Sequence, residues 1–140
     1  MNPATTGVVL VSHDTRDEVL GALGSLADHP GPIVVVDAGS RDGTADAVRA
    51  SFSAVRVIEL GNVGYGRGVN AGAASLPPEV DVVVAANADV RFATGSVRTM
   101  VAVLAEDPGI AVVGPRVRYP DGSHQASARR TPGTGTQNRL

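Results

Sequence analysis

Four polar clusters each follow a short apolar run: Ser12-His13-Asp14, Asp37-Ala38-Gly39-Ser40, a glycine-rich segment over 61–72, and Asn87-Ala88-Asp89. Asp37 can accept hydrogen bonds from a nucleobase imide or a ribose hydroxyl, and Gly39 and Gly43 permit the tight turn beside it. Ser40, Asp42 and Thr44 equally suit the amides of that turn and of a following helix start. The Asp89 carboxylate, at a strand end, can hold a hard divalent cation whose other ligands are phosphate oxygens and water. Such a cation neutralises charge on a diphosphate leaving group; an Asx turn closing the strand is the alternative use of the same triplet. Arg67 either reaches a diphosphate or is a plain surface charge. His13 lies at the same edge, but His13, His29 and His124 lack metal-ligand spacing. Asp14, Asp17 and Glu18 read as charges at a helix start.

Several chemistries are excluded. A dinucleotide fingerprint needs Gly-x-Gly-x-x-Gly directly after the first strand, where this chain has Ser12-His13-Asp14. The later glycines do not fit either, because Gly64-x-Gly66 continues to Val69 and Gly66-x-Gly68 to Ala71. With no cysteine there is no disulfide, thiolate zinc site or cysteine nucleophile. With every one of the 12 basic residues an arginine, there is no Schiff-base or Walker lysine. Gly-x-Ser-x-Gly is absent. A net charge of -2 argues against nucleic acid as a partner.

The elements that must position these clusters are legible as alternating β-branched runs and helical stretches. Residues 7–12, 33–37, 54–59 and 81–86 read as strands, and the second is apolar on both faces, as a central parallel strand should be. Helices are expected over 14–28, with Val19, Leu20, Leu23 and Leu26 inward and Asp14 or Thr15 as cap. Others are expected over 44–51, from the glycine-rich segment to about Leu76, and over 94–106 with Val97, Met100, Val101 and Leu104 inward. Residues 110–113 read as a fifth strand, 116–119 and 123–126 as a hairpin around Asp121-Gly122, and 131–140 as a loop or frayed tail. With 140 residues, 43% hydrophobic and 19% charged, the chain suits one α/β domain with an open, mostly parallel sheet and flanking helices. In such sheets ligands bind at the carboxyl ends of the strands, where the four clusters fall. No apolar run approaches the ~18 residues of a membrane helix, and residues 1–7 lack a signal-peptide plan, so the expected location is cytoplasmic.

In combination these pieces resemble the amino-terminal half of a family 2 glycosyltransferase of GT-A fold, in the rhamnosyltransferase-like branch. The resemblance rests on Val11-Ser12-His13, the run from Val35 through Asp37 to Thr44, Asn62 through Gly72, Asn87-Ala88-Asp89-Val90, and Val113-Gly114-Pro115-Arg116 with Asp121-Gly122, in the family's order. It implies that residues 1–130 are the nucleotide-sugar-binding part of one GT-A domain, which is incomplete because family members continue well past residue 140. It implies that Ser12 and His13 flank the base, Asp37 binds base or ribose, and Gly39, Ser40, Arg67, Asn70 and Asn87 lie around the sugar nucleotide. Asp89 would be the metal ligand, for Mn2+ or Mg2+. The family's Asp-x-Asp-type motif carries asparagine here at its first position, Asn87, which removes one ligand charge. The implied reaction is inverting transfer of a sugar, with rhamnose favoured, from a UDP- or dTDP-linked donor to a glycan or lipid-linked acceptor. The alternative is a truncated module that binds the donor without transferring it. No residue of this chain has the context of the catalytic base; Asp107 and Asp121 sit in loops. Implied too are work at the inner face of the membrane and, from an exposed apolar edge, self-association into a homo-oligomer.

Overall fold

The computed structural model of the protein describes residues 5–127. The expected tail at 131–140 lies outside the described residues. Four strands form one sheet: β1 (Thr6–Ser12), β2 (Ile33–Ala38), β3 (Arg56–Leu60) and β4 (Val82–Asn87). Between and after them run α1 (Arg16–Ser25), α2 (Thr44–Ser51), α3 (Tyr65–Ala74) and α4 (Ser96–Glu106). The strand order is β3-β2-β1-β4, and every pairing is parallel. The sheet is therefore wholly parallel and open, with all carboxyl ends at one edge.

Two layers of helices cover the sheet, and strand alternation decides which residues face which layer. Val8, Leu10 and Val35 pack with Val19, Ala22, Leu23, Leu26 and Val48 of α1, α2 and the turn after α1. Val9, Val34 and Val36 form the opposite face, which α3 covers. The central strands are thus buried on both sides, which is why β2 reads as a continuous Ile-Val-Val-Val run.

α3 can lie on that face only because it presents glycine. A Cβ at Gly72 would stand 2.4 Å from Val9 Cγ1 and 3.0 Å from Val36 Cγ2, and one at Gly68 would stand 3.1 Å from Val11 Cγ1. α3 thus descends from the level of Val11 to that of Val9, starting at the carboxyl edge.

The segment after β4 is tied along α1. Arg91 donates to the Glu18 carbonyl at 3.1 Å, the Phe92 amide to Ser25 Oγ at 3.0 Å, and the Gly95 amide to Asp28 Oδ2 at 3.3 Å. These contacts carry the chain down the length of α1, so α4 starts near the amino edge. Val97, Met100, Val101 and Leu104 are half-buried together, as expected, but no residue of α4 is fully buried.

Two expectations are corrected and one is borne out. Residues 110–113 form no strand: Val112 is 85% exposed, and no ladder includes them. Among the described residues the ladder ends at β4, whose outer edge is unpaired, so β-branching alone does not make this run a strand. The expected hairpin around Asp121-Gly122 is present: Arg118 bridges His124 antiparallel, the Tyr119 amide donates to the Ser123 carbonyl at 2.9 Å, the Gln125 amide donates to the Val117 carbonyl at 3.0 Å, and the Gly122 amide closes the turn on the Tyr119 carbonyl at 2.9 Å. Neither Asp14 nor Thr15 caps α1; Thr15 holds the N-cap position with no side-chain bond to the helix, and its hydroxyl pairs with Ser12 Oγ at 2.7 Å.

Candidate functional site

The carboxyl edge collects polar groups in two sets on either side of β1. Register fixes them: Ser12 pairs with Asp37 and Val11 with Asn87. Adjacent strands lie ~4.8 Å apart, so Asp37 and Asn87 stand roughly 10 Å apart across the end of β1. Neighbouring residues of a parallel pair share a face. Ser12 and Asp37 therefore leave the sheet on the α1–α2 side, and Asn87 leaves it with Val11 on the α3 side.

The first set is a bonded cluster made from the loops after β1 and β2. Asp37 is 4% exposed, and its Oδ1 accepts the Ser40 amide at 2.8 Å. Ser12 is 1% exposed. His13 Nδ1 lies 2.8 Å from the Ala38 carbonyl; a carbonyl only accepts, so that nitrogen is the donor. Nε2 stands 3.7 Å from Asp14 Oδ2. Ser40 Oγ accepts the Asp14 amide at 2.9 Å, and Asp14 Oδ1 accepts the Arg41 amide at 2.6 Å. Asp42 accepts the Arg16 amide at 3.0 Å and also bonds the Thr44 amide and hydroxyl. The Thr44 hydroxyl, before the other donors, holds the Asp42 carboxyl below its ordinary 3.8. The two loops are thus stapled to one another, while Asp42 also holds the first residue of its own helix.

Gly39 closes this cluster. Its φ is +83°, and a Cβ there would sit 3.2 Å from the Asn62 amide nitrogen at the head of the glycine-rich segment. Gly39→Ala should cost about 1–2 kcal/mol for the left-handed backbone alone, with crowding against Asn62 added. A melting temperature several degrees below wild type checks this; an unchanged one would refute the close approach.

The second set is simpler. Asn87 and Asp89 are both exposed and flank Ala88, which is 3% exposed and belongs to the core. Neither side chain has a hydrogen-bond partner among the described residues. No group of three potential metal ligands occurs among the described residues. A single free carboxylate beside an amide suits a cation that takes most of its ligands from phosphate oxygens and water.

The remaining expected residues lie on α3. Arg67 precedes Gly68, which abuts Val11, so Arg67 is at the level of the strand ends and exposed. Asn70 falls about 200° around the helix from Gly68 and faces away from the sheet. The fold thus brings Ser12, His13, Asp37, Gly39 and Ser40 into one cluster and Asn87, Asp89 and Arg67 to the same edge. Asn70 is not brought to them. Sequence reasoning put Asp14 at this edge but read it as a helix-start charge, missing its bonds to the loop after β2; its only local signal was its place directly after a strand end.

Asp107 and Asp121 are turned onto their own loops, Asp107 by the Gly109 amide at 2.8 Å and Asp121 by the Ser123 amide and hydroxyl. The Ser123 hydroxyl is the main cause that holds the Asp121 carboxyl below its ordinary 3.8. A cavity of about 630 Å³ lined by Leu26, His29, Phe92 and Val97 lies at the amino edge, remote from both polar sets. No helix among the described residues is long and apolar enough to cross a membrane.

Comparison with known proteins bears on this edge. The family profile described as glycosyl transferase family 2 matches residues 8–139. N-acetylglucosaminyl-diphospho-decaprenol L-rhamnosyltransferase from two Mycobacterium tuberculosis strains, CDC 1551 and H37Rv, is 34% identical over 83% of this chain. The alignment covers 41% of those relatives, so the chain spans about two-fifths of their length. The crystal structure of S. aureus TarS 1–349 superposes with a TM-score of 0.63 at 20% identity, covering 73% of this chain and 32% of that one. That likeness shows the fold, an open parallel sheet of GT-A type of which these residues form part.

Proposed function

Since the chain belongs to glycosyl transferase family 2, we propose that it is the donor-binding part of an inverting sugar transferase. The observation that carries this reading is the register Ser12–Asp37 and Val11–Asn87, which delivers two polar sets to one sheet edge. The donor is a nucleoside-diphosphate sugar linked to UDP or dTDP, and rhamnose is the favoured sugar because the mycobacterial relatives are named as rhamnosyltransferases. The acceptor is a glycan or a lipid-linked sugar. The place of work is the cytoplasm, at the inner face of the membrane where a lipid-linked acceptor would be presented.

The role of each residue follows from its position. Asp37, buried and with one oxygen already held by Ser40, accepts from the base or ribose. His13, fixed by the Ala38 carbonyl, flanks the base beside Ser12. Gly39 lets the loop turn without crowding the pocket. Arg67 meets the diphosphate, whereas Asn70, on the outer face of α3, takes no part in holding the donor. Asp89 with the Asn87 amide would hold Mn2+ or Mg2+, whose charge would offset that of the departing diphosphate. The chemical step requires a base to take the acceptor proton as its oxygen attacks the anomeric carbon.

Calorimetry with UDP, dTDP and their sugar-linked forms, with and without manganese, tests this reading. Wild type should bind one of the two series. Asp37→Ala should weaken it about tenfold or more, as expected for losing a charge-assisted hydrogen bond. If no such nucleotide binds, the donor-site reading is wrong. A second reading, a module that binds the donor without transferring it, is favoured by one observation: both loop carboxylates considered for the base, Asp107 and Asp121, are already engaged with local donors. A transfer assay with a lipid-linked acceptor separates the two.

A further inference from the structure

We propose that Asp14 is a positioning residue for the donor pocket, locking the loop after β2 and, through Ser40, the carboxylate of Asp37. The link to the donor rests on the reading of Asp37 given above. Asp14 has φ +49° and is the one non-glycine residue with positive φ among the described residues. A side-chain-bearing residue stays in that region only where its surroundings hold it, and aspartate tolerates it better than most.

The unusual backbone aims two groups of one residue at the neighbouring loop. The Asp14 amide donates to Ser40 Oγ at 2.9 Å, while its Oδ1 accepts the Arg41 amide at 2.6 Å. Ser40 then donates its own amide to Asp37 Oδ1 at 2.8 Å. Two bonds therefore run from Asp14 through Ser40 to the buried carboxylate at the end of β2, and a third ties Arg41 of the same loop. A residue acting only as a helix-start charge would bond its own helix. Here the Arg16 amide, at the start of α1, goes across to Asp42, and Asp14 serves Arg41 in return. Asp14 itself is 47% exposed at its side chain, so it stands at the rim and not in the core.

Two substitutions in the full chain test the assignment. Asp14→Asn keeps an acceptor oxygen and tolerates the left-handed backbone; Asp14→Gly keeps the backbone and removes the acceptor. Amide hydrogen exchange is read at Ser40 and Arg41, and calorimetry with UDP and dTDP in manganese reads the pocket. In Asp14→Gly, both amides should exchange about tenfold faster or more, and nucleotide affinity should fall about tenfold. Asp14→Asn should restore both readouts to near wild type, which a general loss of folding would not allow. Unchanged exchange in Asp14→Gly overturns the lock. Faster exchange with intact nucleotide affinity overturns the positioning role. If wild type binds neither nucleotide, the donor reading falls with any link to the pocket, while the exchange arm still decides whether Asp14 holds the loop.

Discussion

Asp89→Ala should remove the manganese-dependent part of nucleotide binding, lowering affinity for UDP or dTDP about a hundredfold in saturating metal. Loss of a partner that merely orients a metal ligand typically costs 10–100-fold, so removal of the ligand itself belongs at the upper end or beyond. The fold should not notice, because the Asp89 side chain is exposed and has no hydrogen-bond partner among the described residues. Ala88, which is packed in the core, stays in place. Asp89→Asn should fall between, since an amide oxygen still ligates but brings no charge. The comparison is made by titrating nucleotide with and without manganese and by melting each variant. Identical metal dependence in wild type and Asp89→Ala would show that the cation, if bound, sits elsewhere.

Gly72→Leu should lower stability by about 3 kcal/mol, at the upper end of what overpacking costs and a large share of the total for a domain this size. The β-carbon alone would meet Val9 Cγ1 at 2.4 Å, and Val9 belongs to a central strand that cannot retreat. Gly72→Ala should cost less, about 1–2 kcal/mol, because helix propensity returns part of the strain. Gly66→Ala is the control. A Cβ there meets nothing within 4 Å, so the same change should be neutral or stabilising by up to about 1 kcal/mol. Urea unfolding of the three variants gives the order directly. Equal effects at positions 66 and 72 would mean that α3 does not lie on the sheet as described.

Much of the fold was legible because it is written in short-range pattern. The Ile33-Val34-Val35-Val36 run announces a strand buried on both faces, and Val19, Leu23 and Leu26 announce the inner face of a helix. Alternation of such runs implies a parallel sheet, and a parallel sheet implies that Ser12, Asp37 and Asn87 end at one edge. Element limits moved by one to three residues, as with β3, which begins at Arg56 rather than Ala54, and α1, which ends at Ser25 rather than Asp28. Such shifts leave the site where it was. At 110–113 local pattern does not decide the structure. The composition of this run is as strand-like as β4, yet it stays outside the sheet although β4 ends the strand order, so composition does not decide which run joins a ladder.

The sequence by itself determined that the sheet is open and mostly parallel and that Asp37, Asn87 and Asp89 emerge at its carboxyl edge, because periodicity and residue type act over a few positions. Only the tertiary structure decided that Asp14 leaves its own helix to hold Arg41, that Thr15 turns to Ser12, and that Gly68 and Gly72 are the seat of α3. Each of these is a contact between residues far apart in the chain or a competition among equally good local partners. Their outcome depends on the register of β1 against β2 and on how closely a helix can approach a sheet, which no single segment encodes.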